Sequence, residues 1–135
     1  MALVITVDKL SEESFYLQVR RQIIAAIASG ELRAGDALPS VRSLAQDLSI
    51  NLHTVNKAYA TLRDEGYLVL LGRRGAFVAD VAARPEAGLT AEELAHRLNA
   101  LATEFSASGG TAEEFLAAAQ ASARGVFERG GSHDC

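Results

Sequence analysis

Two short amphipathic segments separated by two residues constrain the fold of this 135-residue chain more than any other feature. Ser40 is a candidate N-cap for the first segment and Asn51 for the second, with Ser49 and Ile50 between them. The apolar residues that recur at helical spacing are Val41, Leu44, Ala45 and Leu48 in the first segment, and Val55, Ala58, Tyr59 and Leu62 in the second. Two helices joined by so tight a turn predict a helix-turn-helix.

A longer helix is expected before this pair, from Ser14 as its N-cap to about Ser29, with Gly30 ending it. Ahead of it, residues 3–7 (LVITV) are β-prone and short, which fits either an edge strand or an extended arm. Residues 31–39 carry the Gly-Asp and Pro chemistry of a loop. This region is therefore expected to hold three helices in all.

A β-hairpin is expected after the third helix. Residues 67–71 and 76–79 are strand-like, and the turn between them, 72–75, carries two arginines at its tip. The order of three helices and a hairpin predicts a mainly α protein that begins with a winged helix-turn-helix domain over residues 1–80.

The remaining residues predict a short two-helix tail. Residues 81–89 contain Pro and Gly and are expected to be a linker. Two Thr-x-x-Glu capping boxes then predict helices over about 91–105 and 112–128. The last residues, 131–135, are expected to be a disordered end.

The two tail helices carry apolar residues that a two-helix hairpin cannot bury by itself. These candidate dimerisation residues are Leu94, Leu98, Leu101, Phe105, Leu116, Ala119 and Ala123. The apolar faces need either the first domain or a second copy of the chain. Residues 90–130 are therefore expected to form a dimerisation region.

Charge is uneven along the chain. The formal net charge is −4, but residues 1–80 hold nine basic and nine acidic residues, so the excess acidity lies in the tail. Between residues 33 and 74 there are six basic residues and four acidic ones. A local basic face of this kind favours a phosphate backbone, although a mixed, solvated surface gives the same counts.

The outward face of the third helix carries candidate base-reading groups. With the apolar residues facing inward, His53, Asn56 and Lys57 lie on the opposite side of the first turns. In a helix-turn-helix, the N-terminal residues of the second helix reach base edges. Asn suits adenine, Lys suits guanine or phosphate, and Leu52 suits a thymine methyl group. The alternative is an ordinary solvated helix face.

Three arginines, together with Lys57, are candidates for phosphate contacts. Arg42 lies in the first turn of the second helix, where a helix N-terminus also favours anions. Arg73 and Arg74 lie at the apex of the hairpin and could rest on a phosphate or enter a minor groove. The alternative for all three is solubilising surface charge.

The sequence contains no candidate catalytic site. The length excludes a kinase, a two-domain Rossmann dehydrogenase and a barrel enzyme. No P-loop, Gly-x-Ser-x-Gly or Gly-x-Gly-x-x-Gly motif is present, and no nucleophile and base are paired. Histidines 53, 96 and 133 and the single Cys135 lack metal-site spacing. No enzyme activity, metal or cofactor is therefore expected.

The sequence predicts a cytoplasmic protein. A single cysteine excludes a disulfide framework and favours a reducing compartment. No apolar run approaches the ~20 residues of a membrane span, and the first ten residues lack the features of a signal peptide.

Residues 15–78 resemble the DNA-binding domain of the GntR family of bacterial transcription regulators. The likeness is carried by FYLQVRRQIIAAIASGELRAGDALPSVRSLAQDLSI at 15–50, NLHTVNKAYATLRDEGYL at 51–68 and GRRGAFV at 72–78. About 45 residues follow the linker, similar to the short two-helix tail of the YtrA-like subfamily. In that subfamily the tail mediates dimerisation, and many members repress transporter operons.

The resemblance implies particular contacts with DNA. It implies that Arg42 contacts a phosphate or a base, and that the wing approaches DNA near Arg74 and Gly75. It also implies DNA contacts from Asn51, Thr54 and Asn56. The subfamily often has Pro-Asn where this chain has Leu52-His53, so its base preference does not carry over there.

The sequence therefore predicts a sequence-specific DNA-binding transcriptional regulator, of the repressor type, that binds a pseudo-palindromic operator as a homodimer. The alternative is a winged-helix protein-interaction module without sequence-specific DNA binding. Whether a small-molecule effector exists stays open. The candidate DNA-binding residues are Ser40, Arg42, Asn51, Leu52, His53, Thr54, Asn56, Lys57, Arg73, Arg74 and Gly75.

Overall fold

The computed structural model describes residues 3–131, which divide into two compact units, one ending at Gly88 and the other beginning at Leu89. The first unit holds three helices and a two-stranded antiparallel sheet, and the second holds two helices. The elements are α1 (Phe15–Ser29), α2 (Val41–Leu48), α3 (Leu52–Asp64), β1 (Leu68–Leu70), β2 (Ala76–Val78), α4 (Ala91–Ala107) and α5 (Ala112–Gly131). The predicted order of three helices, a hairpin and two further helices is confirmed.

Local capping chemistry sets the ends of α2 and α3, as predicted. The Ser40 hydroxyl accepts a hydrogen bond from the Ser43 N–H at 3.0 Å, and Asn51 Oδ1 accepts one from the His53 N–H at 2.8 Å. Ser14 occupies the N-cap position of α1, but its side chain makes no capping hydrogen bond. Gly30 ends α1 with a left-handed φ of 84°, the conformation that favours glycine.

The core of the first unit lies between α1 and α3, with α2 and the hairpin packed on it. The predicted inward residues of α3 (Val55, Ala58, Tyr59 and Leu62) are all fully buried. Val19 and Ile23 of α1 meet them from the other side and are equally buried. Burial of this apolar surface fixes which face of α3 points outward.

The loop between α1 and α2 adds a third backbone segment to the hairpin, which the sequence did not indicate. In the hairpin itself, Leu68 pairs with Val78 across the antiparallel register. On the other side of β2, the Gly35 N–H donates to the Val78 carbonyl at 2.8 Å, and the Val78 N–H donates to the Asp36 carbonyl at 2.9 Å. The loop thereby covers an edge whose backbone groups would otherwise lack partners.

Residues 3–7 form an extended arm, one of the two predicted alternatives, and no strand is assigned there. Two side-chain amides of α1 hold its backbone. Gln22 Oε1 accepts from the Thr6 N–H at 3.0 Å while Gln22 Nε2 donates to the Thr6 carbonyl at 2.6 Å. Gln18 makes the same pair of bonds with Asp8, at 2.7 and 3.1 Å. The arm also places Ile5 in the core.

The segment expected to be a linker, 81–89, is held to the first unit at its far end. The Gly88 N–H donates to the Glu65 carbonyl at 2.7 Å, and Val81–Ala83 forms a short 3-10 turn. The first unit therefore extends to Gly88, beyond the boundary at residue 80 that the sequence suggested.

The second unit is a helical hairpin whose helices begin at the two predicted threonines. Thr111 and Glu114 form a complete capping box, with Thr111 Oγ1 accepting from the Glu114 N–H at 3.1 Å and Glu114 Oε1 accepting from the Thr111 N–H at 2.9 Å. The box predicted at Thr90 is only half formed: Thr90 Oγ1 accepts from the Glu93 N–H at 3.2 Å, but Glu93 Oε1 accepts from Arg97 Nε and not from the Thr90 N–H. Of the end expected to be disordered, Gly131 is the last residue of α5 and 132–135 lie outside the described residues.

Candidate nucleic-acid interface

The N-terminal turns of α2 and α3 form a shallow groove of about 370 Å³. Its lining residues are Val41, Arg42, Leu52, His53 and Asn56. Four of these five are predicted DNA-binding residues, and the structure brings them together from two helices. Val41 is the addition, because its helical position marked it as a core residue and the structure leaves it half-buried at the edge of the groove.

The groove combines a cation, two polar groups and two apolar edges. Arg42 offers a planar fork of N–H donors that matches phosphate oxygens or the guanine edge. Asn56 and His53 both donate and accept hydrogen bonds. Val41 and Leu52 supply apolar surface of the kind that contacts a thymine methyl group. These are the chemical groups that major-groove recognition uses.

The capping residues Ser40 and Asn51 do not line the groove but fix the helix starts beside it. The side-chain oxygens of Ser40 and Asn51 are engaged by backbone N–H groups at the two helix starts. The Asn51 amide nitrogen still has two donors for an external acceptor. Thr54 is half-buried on the side of α3 that turns towards the core. Ser40, Asn51 and Thr54 are all predicted DNA-binding residues, and in the structure Ser40 and Asn51 also fix the starts of α2 and α3.

Lys57 lies on the exposed face of α3 but does not line the groove. Its Nζ atom lies 4.1 Å from the centroid of the Tyr16 ring on α1. This is a cation–π contact. No local sequence pattern indicates that these two side chains meet, because they lie on different helices.

Arg73 and Arg74 are exposed on the 3-10 turn Gly72–Arg74 at the tip of the hairpin. Three backbone hydrogen bonds close this turn. The Leu71 N–H donates to the Gly75 carbonyl at 2.9 Å, the Arg74 N–H to the Leu71 carbonyl at 3.1 Å, and the Gly75 N–H to the Gly72 carbonyl at 3.0 Å. Gly75 has a φ of 99°, which side-chain-bearing residues rarely adopt. The wing therefore presents two cations on a closed turn that is separate from the groove.

Ion pairing divides the cations of the first unit into two groups. Arg20 forms a bidentate pair with Glu65 at 2.7 Å for each bond, which raises the pKa of Arg20, and Arg21 pairs with Glu13. Arg63 pairs with its neighbour Asp64. Among the described residues, no ion pair involves Arg42, Lys57, Arg73 or Arg74. The predicted phosphate-binding cations thus keep their charge uncompensated, which concentrates positive potential on their faces.

The second unit presents an apolar groove of about 580 Å³ between α4 and α5. Five of the seven predicted dimerisation residues line it, namely Leu94, Leu98, Leu101, Ala119 and Ala123, together with Phe115, Ala118, Ser122, Val126 and Phe127. Phe105 and Leu116 instead line a second depression beside the interhelical turn, which Phe115 shares. No side chain described between residues 89 and 128 is buried.

Residues 3–131 contain neither a metal-binding cluster nor a membrane-spanning helix. No group of three or more His, Cys, Asp or Glu side chains there could hold a metal ion. No helix of that part of the chain is long and apolar enough to span a membrane. His133 and Cys135 lie outside the described residues.

Comparison with known proteins identifies the family that shares this winged-helix unit. The family profile "Bacterial regulatory proteins, gntR family" matches residues 15–78. YtrA from Sulfolobus acidocaldarius, a GntR-family transcription factor of known structure, is 47% identical over 55% of this chain and 78% of that chain, with a TM-score of 0.51. The chain belongs to the GntR family. It also resembles the YtrA-like members, since HTH-type transcriptional repressor YtrA of Bacillus subtilis (strain 168) is 37% identical over 76 residues.

The match to the Bacillus subtilis repressor covers only part of each protein. Those 76 residues are 56% of this chain, which spans 58% of the Bacillus subtilis repressor. The crystal structure of AraR(DBD) in complex with operator ORX1 is 28% identical over 58% of this chain and 100% of that chain, with a TM-score of 0.51. A transcriptional antiterminator from Listeria monocytogenes EGD-e shares the fold over 92% of both chains at 22% identity, with a TM-score of 0.76.

Proposed function

We propose that this protein is a sequence-specific DNA-binding transcriptional regulator that acts as a repressor on a pseudo-palindromic operator. The observation that carries the proposal is the groove in which Arg42, Leu52, His53 and Asn56 converge from α2 and α3. Two relatives support it: the Bacillus subtilis YtrA is a transcriptional repressor, and AraR(DBD) has been crystallised with operator DNA. Such a protein acts where the chromosome lies, in the bacterial cytoplasm.

Attraction and recognition are divided between two sets of residues in this proposal. Arg42, Arg73 and Arg74 have no carboxylate partner within residues 3–131, and they supply sequence-independent attraction to phosphate. Leu52, His53 and Asn56 read base edges in the major groove, with Asn51 at the helix start beside them. Lys57 contributes a further cation on the same helix.

We further propose that the second unit joins two copies of the chain. Five large apolar residues that line the groove between α4 and α5 are exposed, namely Leu94, Leu98, Leu101, Val126 and Phe127. Exposed apolar patches of this kind mark interaction sites. A two-fold dimer would present two copies of α3 to the two halves of a pseudo-palindrome.

Fluorescence anisotropy with DNA from the promoter of the protein's own operon tests DNA binding. A scrambled duplex of equal length is the specificity control, and Arg63→Ala is the matched control variant because Asp64 already pairs with Arg63. Arg42→Ala and Arg74→Ala should each lower the slope of log affinity against log salt by roughly 1 per site lost. Arg63→Ala should leave the slope unchanged. Equal affinity for promoter and scrambled DNA would favour the protein-interaction module instead.

Sedimentation velocity of the full chain tests the dimer. Leu98→Glu places a charge in the apolar groove and should shift the dimer to monomer. Leu10→Glu, at an almost fully exposed position of the first unit, should leave the dimer intact. A Leu98→Glu protein that remains dimeric would assign dimerisation to another surface.

A further inference from the structure

We propose that Tyr16 is a positioning residue for DNA binding, because its ring holds the ammonium group of Lys57 where it meets the phosphate backbone. This inference rests on the proposed function. Lys57 Nζ lies 4.1 Å from the centroid of the Tyr16 ring. At this distance the negative face of the ring attracts the cation.

The Tyr16 ring packs at the edge of the core of the first unit. Tyr16 is half-buried and packs against the core cluster of the first unit. Val19, one turn further along α1, is fully buried, as is Ala58 beside Lys57 on α3. The two helices are therefore in contact beside the pair, which limits how far the backbones of Tyr16 and Lys57 can move relative to each other.

Lys57 is a side chain that contact with the ring would order. A lysine side chain has four rotatable bonds, and fixing it in one conformation on binding costs conformational entropy. Carboxylates position Arg20, Arg21 and Arg63 but also compensate their charge. Tyr16 carries no charge, so Lys57 is ordered and keeps its full attraction for phosphate.

The ligand assigned to Lys57 is a backbone phosphate and not a base edge. Lys57 does not line the groove formed by Arg42, Leu52, His53 and Asn56. Its ammonium lies instead over the Tyr16 ring of α1. Loss of the Tyr16 ring should therefore weaken binding to operator and scrambled DNA by the same factor, since phosphate contacts carry no sequence information.

The test uses the full chain with Tyr16→Leu, Tyr16→Phe, Lys57→Met and the double variant Tyr16→Leu/Lys57→Met. In the DNA-free protein, NMR should show the Lys57 Hε signals shifted upfield by the ring in wild type and Tyr16→Phe, and not in Tyr16→Leu. Tyr16→Leu should weaken binding to both DNAs about two- to fivefold, and Tyr16→Phe should match wild type. The double variant should bind as Lys57→Met does. Tyr16→Met replaces Tyr16→Leu if melting curves indicate that the latter is poorly folded.

Four outcomes would overturn the inference. If Tyr16→Phe weakens binding as much as Tyr16→Leu, the hydroxyl acts directly and the ring does not position Lys57. If Tyr16→Leu is equally harmful in the Lys57→Met background, Tyr16 acts independently of Lys57. If the upfield shift is lost while affinity is unchanged, the contact has no role in binding. If wild type shows the shift but binds neither DNA, the proposed function itself fails and the role assigned to Tyr16 fails with it.

Discussion

The Tyr59 hydroxyl donates a hydrogen bond of 2.7 Å to the carbonyl oxygen of Pro39. Tyr59 is fully buried in the middle of α3, and Pro39 immediately precedes the N-cap of α2. The bond therefore ties the start of α2, where Arg42 lies, to the helix that carries His53 and Asn56. The shape of the candidate groove depends on this connection as well as on the apolar core beneath it.

Removing the Tyr59 hydroxyl tests that connection. Tyr59→Phe keeps the ring in the core but deprives the half-buried Pro39 carbonyl of its donor. We expect the free energy of unfolding to fall by about 1–2 kcal/mol, measured by denaturant titration. Tyr67→Phe is the matched control, because no hydrogen bond of the Tyr67 hydroxyl occurs among the described residues. Equal losses in the two variants would contradict a specific role for the Tyr59–Pro39 bond.

The same residue predicts a pH dependence of stability at alkaline pH. Burial raises the pKa of Tyr59 above its ordinary value, because the phenolate would be poorly solvated in the core. Above pH ~10, the reference value, the unfolded chain loses this proton while the folded chain keeps it. Stability should therefore fall as pH rises through this range, by up to about 1.4 kcal/mol per pH unit from this one group. The unfolding free energy should fall less steeply with pH in Tyr59→Phe. Parallel curves for the two proteins would contradict the assignment of this pH dependence to Tyr59.

The bidentate pair between Arg20 and Glu65 predicts a measurable coupling between α1 and the end of α3. Both side chains are about a quarter to a third exposed, so solvent screens the pair. A double-mutant cycle with alanine at both positions should give a coupling of about 0.5–1 kcal/mol at low salt, decreasing as salt rises. The more exposed Arg21–Glu13 pair is the matched control and should couple less. A larger coupling free energy for the control pair would show that the bidentate geometry of Arg20 and Glu65 does not strengthen their interaction.

Contacts within a few residues of sequence could be predicted. Ser40 and Asn51 cap their helices through bonds that reach three and two residues ahead, and Thr111 closes a capping box with Glu114. Those patterns depend on local backbone geometry that residue type alone favours. For the candidate site, the caps and the apolar stripe of α3 together determine which residues face outward, and so Arg42, Leu52, His53 and Asn56 could be named in advance.

Contacts between distant residues could not be predicted. Gln22 binds the backbone of Thr6, sixteen positions away, and Arg20 binds Glu65, forty-five positions away. Such partners depend on how α1 packs, which no local pattern encodes. The contact between Lys57 and Tyr16 could not be predicted for the same reason. In α5, alanines on several faces weaken the contrast between apolar and polar sides, so the spacing favours Leu116, whereas Phe115 lines the groove in the structure.

Gly66 and Gly35 have similar φ angles but different surroundings, so alanine should destabilise the two positions to different extents. Gly66, just after α3, has a φ of 91°, and a Cβ there would meet the Ala87 Cβ at 2.6 Å. Gly35 has a φ of 89°, and a Cβ there would meet nothing within 4 Å. Gly35→Ala should cost about 1–2 kcal/mol of unfolding free energy, which is the left-handed backbone penalty alone. Gly66→Ala should cost more, since the segment that contains Ala87 must also move. Denaturant unfolding of the two full-length variants measures the difference, and equal losses would mean that residues 81–88 are not held against the end of α3.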